Sequence, residues 1–184
     1  MQTPLALLPI LLIAAVATPQ SRAQQTPISP TSSACGANEA NFTLKHDDVN
    51  SGATPIPPGK ALVHVIEAMA DYPFVTKKVN IGMDGTWLGA TDIDTHMTFI
   101  VDAGVHHLCA VYQGHAAGMD NEGHTLLLLL NAEPGKTYYL RYHALFVKDA
   151  PGDVFGIAFF EQVDADEGEY LLQTTSHATS VLKK

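Results

Sequence analysis

From Lys60 to Val163 the chain is a succession of short apolar and β-branched runs, each cut off by turn residues, with no amphipathic helical spacing between them. That punctuation constrains the fold more than any other feature. Ala61 to Ile66 is aliphatic and β-branched, and Lys78 to Met83 alternates. Asp84-Gly85 follows, a dipeptide suited to a two-residue hairpin whose central residues both need positive φ. Thr86-Trp87-Leu88 returns from that turn. His96 to Val101, the turn Asp102-Ala103-Gly104 and the run Val105 to Tyr112 repeat the pattern. Gln113 to Gly123 reads as a mobile glycine-rich loop. His124 to Asn131, which holds five consecutive leucines, reads as a strand buried on both faces or pressed hard on the core. Glu133-Pro134-Gly135-Lys136 has Pro and Gly at the central positions of a type II turn, and Thr137 to Phe146 and Phe155 to Val163 complete the set. The pattern predicts an all-β fold, an antiparallel β-sandwich of about seven strands.

One short C-terminal helix is expected. Asp164-Ala165-Asp166-Glu167 resembles a capping box, and Tyr170, Leu171 and Leu172 follow at helical spacing. The polar stretch 175–184 reads as a frayed tail.

The chain begins differently. Leu5 to Val16 is an apolar run broken only by Pro9, shorter than the roughly 20 residues a helix needs to cross a bilayer. It leads to Ser21-Arg22-Ala23, with small residues where a signal peptidase reads. Residues 1–23 are therefore expected to be a signal peptide cleaved after Ala23, leaving an exported chain with no transmembrane span. Residues 24–57, rich in Pro, Ser and Thr, read as a flexible N-terminal segment ahead of a sandwich domain over 58–174. Within that segment Asn41-Phe42-Thr43-Leu44 is a candidate edge strand.

Charge excludes some partners. The full chain carries 10 basic and 19 acidic residues. Removing Arg22 with the leader leaves 9 − 19 = −10. Phosphate binding relies on clustered Lys and Arg, so nucleic acid is not an expected partner.

Five segments carry a family resemblance: PGKALVHVIE from Pro58, NIGMDGTWLGA, VDAGVHHLCA, NAEPGKTYYLR and EGEYLL. Over residues 58–173 they resemble the bacterial domain-of-unknown-function family 2846, and the middle portion is similar to the PEGA modules of bacterial exported proteins. The resemblance implies an exported or lipid-anchored β-sandwich of unassigned activity, periplasmic or secreted, with no catalytic residues to carry across. Lipid-anchored members have a Cys directly behind the apolar run. Here the first is Cys35, well past Ala23.

The chain has two cysteines, Cys35 and Cys109. An even count in an exported chain favours a disulfide that pins the N-terminal segment to the sandwich. Two free thiols and a metal-ligating Cys109 are the alternatives. Nine histidines is a high count for this length. Strand periodicity places His107 and Cys109 on one face and His106 on the other, and His64 and His143 on other strands complete the possible ligands. A metal site needs three or four ligands converging at about 2 Å, and no spacing here matches a known ligand signature. Asp84, Asp92 and Asp94 lack the regular spacing and terminal Glu of a calcium loop.

Covalent catalysis has no better foothold. There is no Gly-x-Ser-x-Gly turn, and Ser176-His177 sits in a polar tail. Asp164, Asp166, Glu167 and Glu169 gather at a helix start, where they favour the helix dipole. Trp87, Tyr138 and Tyr142 are the candidate ligand-contacting aromatics, Tyr138 and Tyr142 sharing a strand face with Tyr139 opposite. The expectation is a non-catalytic binding or structural module of the cell envelope, without cofactor, contacting an envelope protein or glycan. The alternative is a metal-dependent or hydrolytic enzyme built on the histidine-rich strands.

Overall fold

A computed structural model describes residues 34–36, 40–47, 54–68, 78–113, 125–150 and 153–183. The apolar leader 1–23, the polar stretch 24–33 and the glycine-rich loop beyond Gln113 lie outside the described residues, with the expectations placed on them. Ten strands and a helix follow in chain order: β1 (Phe42–Asp47), β2 (Lys60–Glu67), β3 (Val79–Met83), β4 (Thr86–Thr91), β5 (Thr95–Asp102), β6 (Gly104–Tyr112), β7 (Leu126–Ala132), β8 (Thr137–Ala150), β9 (Asp153–Val163), α1 (Ala165–Thr174) and β10 (Ser176–Leu182). They form a six-stranded sheet, β1-β10-β5-β2-β8-β9, and a four-stranded sheet, β4-β3-β6-β7.

The fold is all-β and sandwich-like, as expected, but it has ten strands rather than about seven. It is not wholly antiparallel either: β10 runs parallel to β5, and β2 parallel to β8. The core lies between the sheets. Ala61, Val63 and Val65 of β2 and Leu140 and Tyr142 of β8 meet Val79, Ile81, Leu108, Ala110 and Leu130 of the smaller sheet. Fully burying each Val, Leu or Ile there stabilises the fold by roughly 1.5–3 kcal/mol. The opposite face of β2 is apolar too, because Ile66 packs with Tyr139 beneath Leu171 of α1. That explains why β2 reads as a continuous aliphatic run.

Turn chemistry behaves as the sequence dictates. Asp84 and Gly85 have φ of 49° and 80°, the left-handed pair a two-residue hairpin requires. Asp164 caps α1, its Oδ1 accepting from the Glu167 amide at 2.9 Å.

Three expectations need correction. The C-terminal stretch is not frayed: Ser176–Leu182 is β10, paired with β1 along that strand's whole length. Its small, polar alternation disguised it, yet Ala178 is buried. Ser180 Oγ accepts from the Ala90 amide at 2.8 Å and donates to the Ala90 carbonyl at 2.9 Å. The boundary at residue 58 is also too late, since β1 belongs to the larger sheet; Phe42 is buried against Ala90. The leucine strand, finally, is buried on one face only. Leu130 and Ala132 enter the core, while Leu127 and Leu129 are 46% and 64% exposed on the outer face.

Candidate functional site

The outer face of the four-stranded sheet is covered over one half by the chain's own N-terminal segment. Cys35 and Cys109 form a disulfide, S–S 2.02 Å and Cα–Cα 5.5 Å, across 74 residues of sequence. Both half-cystines are buried. Gly82 of β3 makes the approach possible: a Cβ there would lie 2.9 Å from both Cys109 Sγ and Cys35 Cα. From Cys35 the strap runs over Trp87, which packs against the Ala34–Cys35–Cys109 cluster on one side and against Ala40, Phe42 and Ala90 on the other. Asn80 Nδ2 donates to the Ala40 carbonyl at 2.6 Å. Gln113 closes the strap, accepting from the Phe42 amide at 2.7 Å and donating to its carbonyl at 3.1 Å.

Beside the strap the same face is open. A shallow groove of about 320 Å³ is lined by Ala34, His107, Leu108, Leu127, Leu128 and Leu129. Val105, 59% exposed, lies one alternation from His107 on β6. None of these side chains carries a fixed charge.

The sequence-predicted residues do not converge. Cys109 is bridged and shares its strand face with His107, whereas His64 lies on the outer face of the other sheet. The weak metal set of His107, Cys109 and His64 is therefore withdrawn, because a bridged sulfur is no thiolate ligand and the third residue is on the wrong sheet. Among the described residues no three His, Cys, Asp or Glu side chains are placed to hold a metal ion. The aromatic platform dissolves as well. Tyr142 is 2% exposed and part of the core. Tyr138 Oη accepts from the Glu133 amide at 2.8 Å and donates to the Asn131 carbonyl at 3.1 Å, clasping the β7–β8 turn. Trp87 lies under the strap.

Most polar candidates hold structure. His106 Nδ1 meets Asp84 Oδ2 at 2.6 Å, while its Nε2 meets the Asp102 carbonyl at 2.8 Å, and Asp84 Oδ1 also accepts from the His107 amide. Burial pulls His106 down, but Asp84 and the Asp102 carbonyl outweigh it and hold the imidazole above its ordinary range. Burial pushes Asp84 up, and the bonds from His106 and His107 overcome it and hold the carboxyl low. Two linked turns result, with no ring nitrogen left for chemistry.

Sequence reasoning missed Glu67. It is 1% exposed on the inner face of β2, accepting from Thr91 Oγ1 at 2.9 Å. Burial, reinforced by Asp92 and Asp94 and only partly offset by Thr91, pushes its carboxyl up to about 8. Tyr112 and Tyr142 meet edge-on nearby, rings 5.7 Å apart, and the Tyr112 hydroxyl has no hydrogen-bond partner among the described residues. The signal was present: Ala61, Val63, Val65 and Glu67 share one strand face, but an acid at a strand end reads as the start of a turn.

The chain matches no family model, no curated protein and no solved structure. Among the described residues no helix is long and apolar enough to cross a membrane.

Proposed function

We propose that this protein is an exported, non-catalytic binding module of the cell envelope, and that its docking face is the open half of the four-stranded sheet. The observation that carries the reading is the contrast within that face. A buried disulfide and a strap close one half, while Leu127, Leu129 and Val105 stand uncovered in the other. An exposed apolar patch on a chain otherwise rich in acids is characteristic of an interaction site. A disulfide fits an oxidising compartment, in line with a signal peptide cleaved after Ala23 and with the resemblance of residues 58–173 to family 2846. The leucine-lined surface suits an envelope protein better than a glycan, whose stacking would call on aromatic rings, and on this face Trp87 lies under the strap.

A photoreactive residue at position 129, installed in the cell that makes the protein, tests this directly. The expected result is one discrete adduct that is absent when the photoreactive residue replaces Tyr170, an exposed position on α1. Equal labelling at both positions, or none at 129, overturns the docking face.

A further inference from the structure

The ladder that joins β10 to β5 is two residues long, Ser176↔Thr95 and His177↔His96. Through it the β1–β10 ribbon connects to the rest of the six-stranded sheet, whereas the neighbouring β2–β5 ladder runs from Lys60↔Asp102 to Glu67↔Thr95. The short seam has an imidazole on each side. His96 and His177 meet edge-on with ring centroids 5.5 Å apart. His96 is buried, and its Nδ1 lies 2.9 Å from Thr175 Oγ1. The hydroxyl's proton is directed to the Leu171 carbonyl, so the ring donates at Nδ1 and any added proton goes to Nε2.

We propose that this seam is acid-sensitive: a charge placed on His96, which sits edge-on against His177 across a two-residue ladder, parts β10 from β5. The ribbon stays attached elsewhere, through Cys35–Cys109 and through Ser180 on Ala90. The opening is therefore local and reversible.

The groups facing the seam decide the balance. On β2, His64 stacks on Tyr139 at 5.3 Å and adds a third imidazole. On β1, Asp47 lies 3.9 Å from His177 and is the nearest countercharge. Over β8 and α1, Arg141 is paired with Glu167, and Glu169 acts on Tyr139. On the other face His46 pairs with Asp92 at 3.0 Å. Burial first, then His177 and His64, pull His96 down to about 4, and burial and His177 do the same to His64. An imidazole held low in the closed state favours closure fully above about 6.5, and that preference is lost as pH falls towards about 4.

Hydrogen exchange of the oxidised protein at pH 7 and pH 4.5, corrected for intrinsic rates, reads the seam. Protection over residues 94–98 and 175–179 should fall at least tenfold at pH 4.5 while β2 and the first half of β8 hold theirs. In the double variant His96→Gln, His177→Gln that acid-induced loss should vanish. Unchanged protection at pH 4.5, or an equal loss in the variant, overturns the proposal. If the variant does not fold, the His96 ring resonance of the wild-type chain decides. Protection must start to fall below about pH 6.5 and level off around the pH at which that ring titrates, and a loss that continues more than about one pH unit below the ring's midpoint contradicts the seam.

Discussion

The outer faces of the two sheets are finished in different ways. The six-stranded sheet is roofed by α1, which buries Leu171 on Ile66 and Tyr139; beside it His64 pairs with Thr98 and His96 with Thr175, while Ile100 and Phe159 stay partly exposed. The four-stranded sheet is covered differently. It is closed on the β3–β4 side by a strap that a disulfide fixes, and open on the β6–β7 side, where leucines face outward. The same burial problem is solved covalently on one half of that face and left to solvent on the other.

The largest expected effect breaks the covalent half of that comparison. The Cys35–Cys109 bond constrains a loop of about 75 residues, for which the chain-entropy estimate is about 4 kcal/mol, an upper figure. Cys35→Ser should lower the melting temperature of the oxidised protein and leave the reduced protein nearly unchanged. Equal melting of oxidised wild type and variant would show that the strap holds by packing alone.

Next comes Glu67, beneath both faces. A carboxyl whose pKa is raised on folding binds its proton more tightly in the folded state. The stability it contributes is whole below about pH 4.5 and is lost as pH rises to about 8. At pH 7 the loss is on the order of 3 kcal/mol. Glu67→Gln, which keeps an acceptor for Thr91, should flatten the stability profile between pH 5 and 8 in denaturant titrations. An unchanged profile would assign the pH dependence elsewhere. His64 and His96 act in the opposite sense, losing stability as pH falls from about 6.5 to about 4, so the profile should peak at about pH 6.5.

How much of this was legible depends on the residue. The Asp84-Gly85 hairpin and the Asp164 cap are set by local chemistry that the sequence displays directly, and the Cys35–Cys109 pairing follows from there being only two cysteines. β10 was hidden because its buried positions are Ala178 and Ser180, small residues whose value lies in fitting close to Ala90. The open leucine face was hidden for the opposite reason. Five leucines in a row say nothing of which are covered, and only the register that sends Leu130 and Ala132 into the core turns Leu127 and Leu129 outward. The burial of Tyr142 likewise follows from pairing with Glu67 across β2 and β8, a parallel contact that short-range patterning does not reveal.

The smallest expected effect on stability is also the most direct test of the central claim. A lysine at position 129 adds charge to the open face and touches nothing in the core, so Leu129→Lys should shift stability by no more than about 0.5 kcal/mol. Binding to the partner captured through position 129 should nonetheless fall at least tenfold. The decisive measurement is the pair of values on one variant, its unfolding free energy and its affinity for that partner. Unaltered stability with lost affinity is the expected result. A loss of more than about 1.5 kcal/mol, or affinity equal to wild type, would contradict it.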